Sequence, residues 1–399
     1  MRSFALFAGL ALVGAVVYTI FFSSAAPTPG PAAERPVAET LQARLKRLPG
    51  DFRGWAQLAT QYVDQARVTG DPSYYGKAEG ALATAAKLRS GDDLVLAGQA
   101  ALAAGRHEFA DAARLAERAI DANPYGAAAY GVLADAKTQL GDLRAAQRAV
   151  DTMMGLRPGV AAFARASYAA ELRGDRDGAR KYLELAHEDA FSPADTAYVR
   201  YYLGELALHS GDLAEAADWY AKALRAYPAY TPALAGQART AALGGRLSEA
   251  LDLYDSVVER LPLPQYLIEQ GETRLKTGQK ADWTLLKAQR KLFEAAGVRD
   301  DLTWAEFEAD HGDPAAAVKH ARAEYARNRN LVAADALAWA LYKAGKPQEA
   351  LTYAKRATAT GWQNPLLSYH RAVIERALGR PARVDPTFDP ALSALARFS

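Results

Sequence analysis

A chain of 399 residues, half of them hydrophobic and 24% charged, has the composition of an ordered protein and not of a disordered one. Its 48 Lys and Arg stand against 46 Asp and Glu, so the net charge is only +2, and no basic stripe exists that could neutralise many phosphates; this argues against nucleic acid as a partner. The absence of cysteine removes disulfides, thiolate metal sites and cysteine nucleophiles together.

The first element is an apolar run, FALFAGLALVGAVVYTIFF, from Phe4 to Phe22. It carries no charge and comes close to the ~20 residues that a helix needs to cross ~30 Å of hydrocarbon. Residues 1–22 are therefore expected to be a transmembrane anchor or a signal segment. The run is longer than the ~7 to 15 apolar residues of a secretory signal, which favours the anchor, while Ser23-Ser24-Ala25 keeps a cleaved signal and a secreted product open. Arg2 precedes the run and only Arg35 follows it closely, an asymmetry that sets the N-terminus in the cytoplasm and the rest of the chain outside. Residues 23–40, with PTPGPAAERP from Pro27 to Pro36, have the composition of an extended linker.

Residues 41–380 repeat one layout. In LGELALHSGDLAEAADWYAKALRAYP, from Leu203 to Pro228, two Ala-rich stretches flank a Ser-Gly-Asp break and a proline closes the second. Leu203-Gly204, Gly211-Asp212, Ala216, Tyr220, Ala223 and Pro228 return at a ~34-residue step as Ala238, Gly245-Arg246, Ala250, Tyr254 and Pro262. Upstream they are matched by Leu133-Ala134, Gly141-Asp142, Ala146 and Pro158, with Pro124 one step earlier still. Each copy reads as a helix hairpin: small residues are recesses, Tyr220 and Tyr254 knobs, glycine the left-handed residue that ends one helix, and the adjacent Asp the cap of the next. Weaker copies start at Trp55, with VTGDPSYYGK lengthening the inner turn, and lie around Gly105, Gly174-Asp175, Gly278, Gly312-Asp313 and Gly345. The copy around Gly278 loses the pattern in its second helix at Trp283. A last first-helix runs from Ala372 to Gly379, and residues 381–399 read as an irregular C-terminal cap or tail.

These positions resemble the tetratricopeptide repeat, and the resemblance implies an all-α superhelical solenoid of about nine helix hairpins behind one N-terminal transmembrane or signal helix. Anchor, linker and array together are similar to the membrane-anchored tetratricopeptide repeat proteins of bacteria.

Little in the chain points to chemistry. The six histidines are spread along the repeats, and His107-Glu108 lacks the second histidine of a zinc-protease helix. Asp310-His311 and His187-Glu188-Asp189 lie beside predicted helix ends and read as caps or solvated groups, not as metal ligands. No phosphate loop or nucleophile elbow occurs in a fitting context, so no catalytic, cofactor-binding or metal residues are expected, and no enzyme. The resemblance instead places a ligand surface on a concave face lined by the first helices. Its groove positions fall at Asp135, Arg165, Tyr168, Tyr201, Tyr202, Glu205, Arg239, Glu272, Glu306, Trp339 and Tyr342. Each tyrosine also reads as a filler between repeats, but Tyr168, Tyr201, Tyr202 and Glu205 together form the candidate patch. The basic and Asn clamp by which some family members grip acidic tails is missing; Glu205, Glu272 and Glu306 suit a segment with some positive charge. The expectation is a membrane-tethered, non-catalytic scaffold for a protein or peptide partner. The alternative is a cell-envelope protein binding a small molecule or glycan in the solenoid groove, or a cryptic enzyme.

Overall fold

The computed structural model describes residues 37–382. The expected anchor at residues 4–22, most of the linker and the tail lie outside the described residues. Among those described there are 20 helices and no strand, and no helix is long and apolar enough to cross a membrane. A single helix, Val37–Arg47, leads in with Leu41 and Leu45 buried on the first hairpin. Nine hairpins follow: Phe52–Thr69 with Ser73–Leu88, Asp93–Gly105 with Phe109–Ala122, Ala127–Gln139 with Leu143–Leu156, Val160–Glu171 with Arg176–Glu188, Pro193–His209 with Leu213–Ala226, Thr231–Leu243 with Leu247–Arg260, Pro264–Lys276 with Thr284–Ala295, Asp301–His311 with Pro314–Arg327, and Leu331–Lys343 with Pro347–Ala357. Pro365–Ala377 is the last helix described.

The inner turns form as the residue types dictate. Gly141, Gly174, Gly211, Gly245, Gly278 and Gly345 all take positive φ between their helices. Asp142, Asp175 and Asp212 then accept backbone N–H bonds from Ala145, Gly178 and Glu215, capping the second helices. Three turns depart from expectation. In hairpin 2 the left-handed residue is His107, not Gly105, whose missing side chain makes room for the Tyr75 ring. In hairpin 8 Gly312 keeps negative φ, and the Glu308 carboxylate accepts from Asp313 N at 2.9 Å. In hairpin 1 the VTGDPSYYGK stretch is absorbed by the two helices, leaving only Gly70 to Pro72 as the turn.

First and second helices differ in kind. The second helices bury one stripe each, in hairpin 5 the small and aromatic residues Ala216, Tyr220 and Ala223. Some first helices are buried nearly all round: from Ala197 to His209 only Arg200 and Tyr202 retain partial exposure. Tyr220 shows the packing rule: a Cβ added at Gly204 or Gly236 would lie 2.5 or 2.7 Å from its ring, so one knob fills glycine recesses on two successive first helices. At hairpin 7, Trp283 replaces that knob from just before the second helix and covers Gly271.

The chain divides into two compact units. One holds residues 37–165 with 291–299, the other 166–290 with 300–382.

Candidate functional site: the lining of the first helices

The structure pairs most of the predicted groove residues with one another or with their neighbours. In the first unit, Arg165 donates through Nε and Nη2 to the two carboxylate oxygens of Asp135 at 2.8 and 2.7 Å, a bidentate pair with both side chains at most 5% exposed. Burial raises the Asp135 carboxyl to about 6 against the pull of Arg165.

In the second unit, Arg239 lies between Glu205 and Glu269, 3.2 Å from an oxygen of the first and 2.9 Å from one of the second. The knob tyrosines complete this network: Tyr220 Oη donates to Glu205 at 2.5 Å, and Tyr254 Oη donates to Glu269 at 3.0 Å. Burial opposes the Arg239 charge, but Glu269 and Glu205 more than offset it, and burial together with the nearby acids pushes both tyrosine hydroxyls far above their usual range. Farther along, Glu272 bonds His311 Nε2 at 2.8 Å, and burial raises its carboxyl to about 7 while His311 opposes. Asp310 accepts from Trp339 Nε1 and Lys343 Nζ at 3.0 Å, and Asp335 pairs with His370 Nδ1 at 2.7 Å. Glu306 is the exception. It is 9% exposed, one of its carboxyl oxygens has no hydrogen-bond partner among the described residues, and burial, with Asp335, Asp300, Asp310 and Glu272 adding to it, holds it well above the carboxylate range.

The predicted positions thus separate by surface. Asp135, Arg165, Tyr201, Glu205, Arg239, Glu272, Glu306 and Trp339 are buried, while Tyr168, Tyr202 and Tyr342 are half-buried. Tyr202 stands in a ring cluster, 4.8 Å from Tyr198 and 5.1 Å from Tyr201, and Tyr201 also meets Tyr220 and Tyr230.

Sequence reasoning missed other members of the paired lining: Glu269, Glu171, Asp310, Asp335, His209, His311 and His370. His311 and His187, read as caps or solvated groups, are bound otherwise: His311 to Glu272 on the preceding first helix, and His187 to the Arg200 guanidinium. His209 pairs with Glu171 at 2.6 Å and His320 with Asp301 at 2.7 Å. The available signal was position within the repeat, since most of the acids and histidines of these pairs lie on first helices. Among the described residues, no group of three or more His, Asp or Glu is arranged to hold a metal ion.

Comparison with known proteins agrees with the hairpin geometry. The family model of the tetratricopeptide repeat matches residues 163–231 and 336–383. Among curated proteins, none matches the sequence. Similar solved structures include a thermophilic tetratricopeptide repeat protein of Thermus thermophilus, 23% identical, covering 48% of this chain and 97% of that one at a TM-score of 0.42. The pilF protein of Pseudomonas aeruginosa is 14% identical and covers 58% of this chain and 97% of its own at a TM-score of 0.40. A chain of the APC/C hetero-tetramer Cut9–Hcn1 is 11% identical and covers 91% of this chain and 90% of its own at a TM-score of 0.42.

Proposed function

We propose, from the premise that this chain is a tetratricopeptide repeat protein, that it is a non-catalytic scaffold binding a protein or peptide partner, tethered to a membrane through residues 4–22 with the array on the outer side. The observation that carries the reading is the division of labour on the first helices. Paired charges fix these helices to one another, while the half-buried aromatic side chains Tyr168, Tyr202 and Tyr342 keep surface that a partner can cover. Aromatic rings with a polar tip bury much area at little rotamer cost, which suits them to anchor a bound segment. The acids expected to attract a positively charged segment are paired, as Glu205 is with Arg239, or raised well above the carboxylate range, as Glu306 is, so they give the partner no charge preference.

A photo-crosslinking residue placed at Tyr202 or Tyr342 in intact cells should yield a discrete protein adduct, absent when the probe replaces the exposed Lys181 on a second helix. Tyr202→Ala should weaken capture of that adduct partner about tenfold, the loss of one anchoring side chain. The same adduct from Lys181, or none from any position, would overturn the reading. Protease added to intact cells tests the orientation: the array should be cut, and a protected array would place it in the cytoplasm.

A further inference from the structure

The loop Thr358-Ala-Thr-Gly-Trp-Gln-Asn364 joins hairpin 9 to the last helix and reaches residues 168–174 of hairpin 4, which lie in the same unit. Trp362 is 4% exposed and donates its Nε1 hydrogen to Glu171 Oε1 at 3.1 Å, a bond spanning 191 residues. The same carboxylate oxygen holds His209 Nδ1 at 2.6 Å. The indole meets the Tyr168 and His209 rings edge-on, with centroids 6.5 and 6.1 Å away. Backbones touch beside it: a Cβ on Gly174 would lie 2.6 Å from the Gly361 carbonyl oxygen, so glycine is required there both for this approach and for its φ of +77°. A cavity of about 10 Å³, room for one water, remains between Glu171, His209, Ser210 and Gln363.

Two properties set this contact apart. Its geometry is specific, because two ring edges receive the body of an aromatic side chain while a carboxylate receives its N–H, and an indole offers one donor and no acceptor. It is also made from far along the chain: the last helix described packs on both helices of hairpin 9, and the loop before it reaches back to hairpin 4. Withdrawing the indole opens the half-buried Tyr168 face.

We propose that Tyr168, Glu171 and His209 form a socket for a tryptophan side chain, that Trp362 fills it as an intramolecular latch, and that a partner engages this unit by inserting a tryptophan of its own in place of Trp362. The partner half of this proposal rests on the scaffold reading; the socket and the latch are tested without any partner. A latch and a competing segment share one site, so the apparent affinity for the segment falls by the fraction of open molecules.

The probe is a labelled peptide copy of the loop, TATGWQNPL, read by fluorescence anisotropy against the full chain. It should bind the Trp362→Ala chain at least about tenfold more tightly than the wild type, as expected for a latch closed in nine molecules of ten or more. Binding should be lost when Glu171→Ala is added to Trp362→Ala, or when the peptide carries alanine for tryptophan. Trp362→Phe keeps the ring without the N–H; it serves if the alanine variant does not fold, and it should give intermediate peptide affinity. Hydrogen exchange of residues 168–174 should accelerate in either variant. Equal peptide binding to wild type and variants, or no binding to a folded variant with unchanged exchange at 168–174, overturns the socket. Partner crosslinking from Tyr202 and Tyr342 is independent of these outcomes, so the failure of one reading is separable from failure of the other.

Discussion

A guanidinium enclosed between two carboxylates, as Arg239 is between Glu205 and Glu269, ties together the first helices of hairpins 5, 6 and 7. Removing such ions from water costs several kcal/mol each, and the attraction and added hydrogen bonds offset this only while every member is present. The Tyr220 and Tyr254 hydroxyls supply those added bonds. Arg239→Met should therefore destabilise the array by about 3 to 5 kcal/mol in urea unfolding, because two carboxylates stay buried without their cation. Arg239→Lys should lose much of the same, since an ammonium cannot present the guanidinium's fork to both acids. Adding Glu205→Gln and Glu269→Gln to Arg239→Met should recover most of the loss. A single variant costing under about 1 kcal/mol would mean that the carboxylates find other partners or water, and that the network is not what aligns these helices.

Between elements, the first helices of hairpins 7, 8 and 9 carry more buried acid than base, and this makes their packing pH-dependent. Glu272 is raised to about 7 and Glu306 well above the carboxylate range, both chiefly by burial. A carboxyl raised on folding holds a proton that the unfolded chain releases. Its contribution is thus full below the unfolded value of about 4.5 and is lost as pH rises through the folded value. His209, lifted by Glu171 against the opposing effect of burial, has the same sign. Asp301, lowered mainly by its bond to His320, acts only in more acidic solution. The melting temperature should consequently be higher at pH 6 than at pH 8. Glu306→Gln should stabilise the array at pH 8 by at least about 1 kcal/mol and flatten the difference between the two pH values. A melting temperature that rises from pH 6 to pH 8 would contradict this. The hairpins themselves were legible because their signals are local: Gly211-Asp212 states the turn, and the glycine, alanine and tyrosine spacing states the packing. Arg239, Glu205 and Glu272 were legible as residues on one lining. That they face each other was not, since a pair such as Glu272 and His311 joins two first helices across a whole repeat, and a single sequence marks the lining without saying how closely it packs. Trp362 was passed over because its loop, though bounded by Gly361 and Pro365, belongs to no repeat position; only the fold brings it to Glu171.

Over the whole molecule, a stack of hairpins draws its stability from each repeat and its immediate neighbours, so its ends open first and its middle last. Each unit adds one contact that breaks this order. In the second, Trp362 meets Glu171. In the first, Arg106 donates through Nε to the Ala296 carbonyl at 3.1 Å, its own carbonyl accepts from Arg299 N, and Val298 is buried with Leu41, Leu45 and Leu82. In both, the inner turn of a hairpin receives the loop that follows the second helix of the hairpin five places later, 2 with 7 and 4 with 9. Such a bond ties two segments of one unit that are distant in sequence, so they open together instead of fraying separately. Arg106→Ala should therefore speed hydrogen exchange about tenfold at residues 291–299, the effect of losing roughly 1.4 kcal/mol of local stability, and leave residues 331–377 unchanged. Trp362→Ala should do the converse, loosening residues 331–377 and sparing 291–299. If each variant loosened both segments equally, the two closures would share one cooperative unit; if neither did, neighbour stacking alone would account for the stability of the array.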